Sequence, residues 1–383
     1  MKQIDVLPDD VLLGIFNFHV NMYPTYTKRA MAWHSLVHVC RRWRSLVFGS
    51  PRHLNLRLLC TPKTPVKDTL DIWPALPLTV AGDMASSSSM DNVIAALGQS
   101  SRVSEVYLEG LAGWHLEKVL AAMSRPFPEL IDLMFFSYGE MLPIIPVPDS
   151  FLGGSAPRLQ SFSLYGIPCP RLPKLALFAT HLVHLVLFRI PHSGHISPEA
   201  MAALLSVLSS LQSLTLVFEL ESPQSHPDWE TRPPPPPKRS ILPALYKVQF
   251  DGVTEYLEDL VIFIDAPQLS TLNITLSHQA DFDIPRLARF INRTPKLRKR
   301  DVAHVQFDYT SVGILFGTQI SIYCRGPGRL LLSAAQVCNS SSLSSTVEDL
   351  YIGHQRINIR NQIGRMMPLR TPHGWNSYFH LSQ

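Results

Sequence analysis

The run VHVCRRWRSLV, residues 37–47, gathers Arg41, Arg42 and Arg44 around Cys40 and Trp43. Side chains of these types support three kinds of chemistry. Guanidinium groups neutralise phosphates, a thiol ligates metal or exchanges disulfides, and a tryptophan among valines and leucine anchors a buried face. The spacing favours the third. Trp33, Leu36, Val37, Cys40, Trp43 and Val47 recur at helical intervals over residues 28–48, so Cys40 and Trp43 fall on one apolar stripe and the arginines largely off it.

Other reactive groups are scattered. His34 and His38 are one helical turn apart, but no third metal ligand stands near them in the sequence. HLVH (181–184) and HSGH (192–195) read as structural or solvated histidines, and HPD (226–228) precedes a proline run without flanking helices. No phosphate-binding glycine loop of the GxxxxGKS/T or GxGxxG type occurs. The chain is therefore expected to be no enzyme, with no catalytic residues, no cofactor and no metal. KLRKR (296–300) reads as a solvated helix end, or as an import signal or phosphate-binding spot.

The five cysteines, Cys40, Cys60, Cys169, Cys324 and Cys338, are odd in number, widely spaced and without a CxxC pair. A disulfide framework is not expected, and a reducing intracellular compartment, cytoplasmic or nuclear, fits. With Asp5, Asp9 and Asp10 near the N-terminus, no secretory signal is expected there. No apolar run approaches the roughly eighteen residues of a membrane span, so no membrane contact is expected. The sequons at Asn273, Asn292 and Asn339 then carry no glycosylation meaning.

The elements that position these residues divide the chain in two. Its 383 residues are 46% hydrophobic and 17% charged, enough for two or more folded units and too apolar for disorder. The net charge of +4 is uneven: residues 1–60 hold eight Lys/Arg against three Asp/Glu, whereas the remainder holds 26 against 27. A near-neutral body argues against a nucleic-acid groove. In the basic head, Pro8 suits a first helical turn and Asp9 and Asp10 its positive end. Val11, Leu12, Ile15 and Phe16 make the stripe of a first helix, and residues 28–48 a second, ended by Gly49 and Pro51. Such a thin core needs a partner to complete its burial.

LPDDVLLGIF followed by LVHVCRRWRSLV and SPRHL resembles an F-box. The family's pattern of Leu-Pro, a spaced Leu/Ile series and Val-Cys-x-x-Trp is matched at Leu7, Pro8, Leu12, Ile15, Val39, Cys40, Arg42, Trp43 and Leu46. Between the halves, HVNMYPTYTKRAMAWHS is longer and more polar than the family's usual turn, an enlargement familiar in F-box proteins of mushroom-forming fungi, which the chain resembles in texture. The resemblance implies docking on a Skp-family adaptor and, through it, on a cullin–RING ubiquitin ligase. The implied adaptor contacts are Leu7, Pro8, Leu12, Ile15, Val39, Cys40, Trp43 and Leu46. The alternative for each, Trp43 above all, is packing within the head itself.

Beyond the head a frame recurs, apolar-x-x-apolar-x-apolar. It appears at Leu130/Leu133/Phe135, Leu159/Phe162/Leu164, Leu182/Leu185/Leu187, Leu211/Leu214/Leu216, Leu245/Val248/Phe250 and Leu269/Leu272/Ile274, with first positions 29, 23, 29, 34 and 24 residues apart. Degenerate relatives are SRVSEVYL before the series and VAHVQF and STVEDLYI after it. This resembles a leucine-rich repeat lacking the usual Asn after the strand. Its alternation makes short strands, and each unit buries its face only against its neighbours. Helix-like runs lie between frames, as in SPEAMAALLSVLSS, with Ser197 as cap and Pro198 at the first helical position. The five prolines of RPPPPPKRS (232–240) make a polyproline rod of about 16 Å, read as a stiff surface loop, with an SH3 or WW ligand as the alternative.

The expected architecture is α/β: a helical head at 1–58, an irregular repeat solenoid of parallel strands and helices at 59–358 with a proline-rich loop near 222–240, and an irregular tail at 359–383. The expected function is substrate recognition for a Skp–cullin–F-box type ligase, with an unknown target protein on the repeats. The alternative is a repeat scaffold without a ligase, its head a helical cap.

Overall fold

Each apolar-x-x-apolar-x-apolar frame runs from a turn into a short strand of a parallel sheet. In the computed structural model the described residues are 7–23, 26–72, 75–85, 90–111, 113–137, 145–170, 172, 174, 179–219, 239–277, 284–297, 302–307, 311–316, 320–325, 349–354 and 367–369. The chain is α/β and divides into two compact units, Met1–Ser161 and Phe162–Gln383. The prolines at 233–237, the HPD triplet, Arg298–Arg300 and all of the tail except 367–369 lie outside the described residues.

The first unit opens with three helices, α1 (Asp9–Asn21), α2 (Tyr26–Val37) and α3 (Arg41–Gly49). Strand–helix steps follow: β1 (Leu58–Cys60), α4 (Val66–Ile72), β2 (Leu78–Asp83), α5 (Asp91–Leu97), β3 (Val103–Glu109), α6 (Trp114–Ala122) and β4 (Asp132–Phe136). The four strands pair in chain order, all parallel. The connecting helices are what allow this, because a parallel neighbour needs a crossover of about a dozen residues or more. Val80 lies beside Val106, and Val106 beside Leu133, so the inward rows align.

The second unit continues with β5 (Ser161–Tyr165), β6 (His184–Ile190), α7 (Pro198–Val207), β7 (Ser213–Phe218), β8 (Ser240–Ile241), β9 (Lys247–Gly252), α8 (Thr254–Phe263), β10 (Ile264–Asp265), β11 (Thr271–Ser277) and α9 (Pro285–Arg293). β6, β7, β9 and β11 are parallel neighbours in that order, and β8 pairs with β10 apart from them. Leu185, Leu214, Val248 and Leu272 form one row across the sheet; Leu187, Leu216, Phe250 and Ile274 form the next. Every side chain of the six frames is buried. At roughly 1.5–3 kcal/mol for each large apolar side chain removed from water, these rows dominate the favourable side of folding.

After α9 the parallel pattern gives way. The strands β12 (Val302–Phe307), β13 (Ser311–Phe316), β14 (Ile320–Arg325), β15 (Asp349–His354) and β16 (Met367–Leu369) follow. β14, not β12, lies next to β11, and β13 pairs antiparallel with β14 on one side and β12 on the other. VAHVQF therefore does not continue the parallel series directly. Only three residues separate β12 from β13 and β13 from β14, too few for a crossover, so the chain folds back as hairpins. The last four residues of STVEDLYI, Asp349–Ile352, open β15, which is parallel to β12.

Capping fixes the helices of the second unit. Ser197 accepts a hydrogen bond from Ala200 N–H and Pro198 occupies the first turn of α7, as its sequence predicts. α9 has no capping side chain of its own. Instead the buried Glu258 carboxylate of α8 accepts from Arg286 N–H at 2.9 Å and Leu287 N–H at 2.7 Å. Arg293, at the other end of α9, donates to the Val261 and Ile264 carbonyls and to Asp265. Glu258→Ala removes both acceptors from the start of α9 and is expected to lower unfolding free energy by about 2–3 kcal/mol, since hydrogen bonds to charged groups are worth about 1.5–3 kcal/mol. Chemical denaturation of the two proteins checks this; an unchanged midpoint would show that water replaces the carboxylate at no cost.

Candidate protein-docking face

The head carries more apolar side chains than its own core uses. On α1 they form two adjacent rows. Leu12, Phe16 and Val20 point inward and are at most 3% exposed, whereas Val11, Ile15, Phe18 and Met22 are between 42 and 74% exposed. Positions 11, 15, 18 and 22 repeat at the helical period, so the outer row is one continuous stripe. The inner row packs in a core with Trp33, Leu36, Val37, Val47, Leu54 and Leu56. The Phe16 and Trp43 rings meet with centroids 4.6 Å apart.

The expected single helix over 28–48 is two. α2 ends at Val37 and α3 begins at Arg41, and the break is capped on both sides. Cys40 is extended, and its sulfur accepts from Trp43 N–H at 3.5 Å as the N-cap of α3. Arg44 Nε donates to the Val37 carbonyl at 2.9 Å, satisfying the end of α2. The turn between the helices leaves Val39 in solvent, at 58% exposure.

Arg42 ties the start of α1 to the start of α3. Its guanidinium donates to the Leu7 carbonyl at 2.6 Å and to the Asp9 carboxylate at 2.6 and 3.1 Å. Residues more than thirty positions apart in sequence, Leu7 and Pro8 on one side and Val39, Cys40 and Trp43 on the other, are thereby held at one end of the head. Of the sequence candidates, Pro8, Ile15 and Val39 are exposed, and Leu7, Cys40, Trp43 and Leu46 are half-buried. Leu12 is 1% exposed and sits in the head's core, which leaves its side chain a packing role in this conformation. Val11, Phe18 and Met22 were not among the candidates. Their signal was present, because an exposed helix with apolar residues over more than half its circumference has one face too many for its own core.

The head is fixed to the first strands. Trp33 Nε1 donates to the Arg57 carbonyl at 2.9 Å, and the Arg57 guanidinium pairs with Glu105 on β3. Lys28, Arg41, Arg44 and Arg52 remain exposed and carry the head's positive charge outward.

Some of the remaining thiols and imidazoles are buried or lie against aromatic rings. Burial pushes the Cys60 thiol up to about 11, against a smaller opposing effect of Arg102, and burial alone pushes Cys169 up to about 12. Burial, and secondarily the neighbouring His38, hold His34 below the usual imidazole value. His195 lies against the rings of Phe218 and Tyr256, which pack with Phe250. Among the described residues no three His, Cys, Asp or Glu side chains come together as metal ligands, and no helix is long and apolar enough to cross a membrane.

Because Cys60 and Cys169 are buried and held protonated, Cys40 is expected to react first of these three with iodoacetamide at pH 8 under native conditions, by at least about tenfold in rate. Peptide mass mapping over time checks this. Labelling of Cys169 as fast as Cys40 would show that the second unit opens readily.

Compared with known protein families and with curated proteins, the chain matches none.

Proposed function

We propose that the chain is a substrate-recognition subunit of a Skp–cullin–F-box type ubiquitin ligase, with the head docking on the Skp-family adaptor and the repeats holding a target protein. One observation carries this reading: the head folds with the outer row of α1 and Val39 left in solvent, and with Cys40, Trp43 and Leu46 only half-buried. A helical unit that completes its core and still exposes an apolar stripe is built to meet another surface. The F-box-like pattern from Leu7 to Leu46 supports reading that surface as the adaptor's. The exposed Lys28, Arg41, Arg44 and Arg52 of the head suit an acidic adaptor and speed encounter more than they add affinity.

The strand–helix steps are read as an irregular leucine-rich-repeat solenoid. Its support is the in-register stacking of the Leu-x-Leu frames on parallel strands joined by helices. The chain performs no bond chemistry itself in this account. It raises the local concentration of a bound target beside a ligase-held ubiquitin, as tethering does generally.

A second reading has its own observation. The head shares a compact unit with β1–β4 and is joined to them through Trp33 and Arg57, which suits a helical cap on a repeat scaffold with no ligase. Calorimetry of the full chain with a purified Skp-family adaptor separates the two. Wild type is expected to bind, and Ile15→Asp and Val39→Asp are each expected to lose about 2 kcal/mol or more, roughly thirtyfold in Kd, with an unchanged circular-dichroism spectrum. Leu12→Asp is expected instead to unfold the head. Absence of wild-type binding would favour the cap.

A further inference from the structure

Arg42 stands between the two halves of the docking face without belonging to its apolar surface. The halves are far apart in sequence, and α1 has no capping side chain at its start: Pro8 precedes it and supplies none. Beside the Phe16–Trp43 ring contact, a guanidinium links the two ends. It spans the Leu7 carbonyl and the Asp9 carboxylate from the first turn of α3, next to Trp43 and two residues after the Cys40 cap. The planar fork can satisfy a carbonyl and a carboxylate together; a lysine ammonium at that position cannot reproduce the arrangement.

We infer that Arg42 is a positioning residue of the docking face: it clamps the Leu7–Pro8 lead-in to α1 against the start of α3, so that Leu7, Pro8, Val39 and Trp43 meet the adaptor as one preformed surface. The inference rests on the docking reading above and adds to it how the face is assembled. The pair is substantially exposed, so it contributes little to global stability. Its effect lies in the ordering that a partner would otherwise have to impose on binding.

The experiment is a double-mutant cycle on the full chain, with adaptor affinity, thermal midpoint and hydrogen exchange of the peptide spanning residues 7–16 as readouts. Arg42→Ala is expected to weaken adaptor binding about tenfold, to speed exchange at the start of α1, and to leave the midpoint within about 2 °C. Asp9→Asn is expected to weaken binding by less, and to have no further effect in the Arg42→Ala background, because both act through the same clamp. Arg42→Lys is expected to restore only part of the affinity. Arg158→Ala, which breaks a comparably exposed pair with Glu129 elsewhere in the unit, serves as the control and is expected to change none of the three. Additive effects of Asp9→Asn and Arg42→Ala would overturn the inference in favour of a direct Arg42 contact with the adaptor. Wild-type affinity in Arg42→Ala would overturn it outright while leaving the docking reading intact. Loss of all wild-type binding would sink the docking reading, and this inference with it.

Discussion

Burial in this chain is shared between neighbouring elements, and the arrangement of each unit follows from that. A strand of five to seven residues with one apolar row, such as β6 or β7, buries that row only when the next strand places an equivalent row beside it and a helix covers both. The register Leu185–Leu214–Val248–Leu272 meets the condition within the second unit, and Val80–Val106–Leu133 meets it within the first. Polar links such as Glu258 to the start of α9 and Arg293 to the end of α8 then fix how successive helices lie. They select one arrangement among those the leucines would tolerate.

The head obeys the same rule and leaves part of it unmet. Leu12, Phe16 and Val20 are buried, as are Trp33, Leu36, Val37 and Val47, and Trp33 reaches on to the chain leading into β1. Val11, Ile15, Phe18 and Met22 stay exposed. That asymmetry within one helix of thirteen residues links packing to function here. It is why the docking proposal centres on α1 and on the turn at Val39 rather than on the basic run that first draws the eye.

Much of the body was legible because period and burial coincide. The Leu-x-Leu alternation names both the strand and its inward face, and Ser197-Pro198 names the start of α7. VAHVQF shows where legibility ends, since it has the alternation of a repeat strand but its place is set by short connections that permit only hairpins. The head was legible in its apolar content and not in its breaks. Trp33 to Val47 keep helical spacing straight through the turn, and only the Cys40 cap and the reach of Arg44 to the Val37 carbonyl divide the run. The two rows of α1 were likewise merged in the sequence, where Val11 and Leu12 are adjacent apolar letters with nothing to say which one faces the core.

The outer row of α1 and the Val39 turn are proposed as the protein-docking surface of the chain. Hydrogen–deuterium exchange of the full chain with and without purified Skp-family adaptor tests it most directly. The account predicts slowed exchange confined to peptides covering residues 7–23 and 38–50, with residues 240–297 unchanged. Adaptor binding that leaves residues 7–23 unprotected, or that protects the second unit instead, would contradict it.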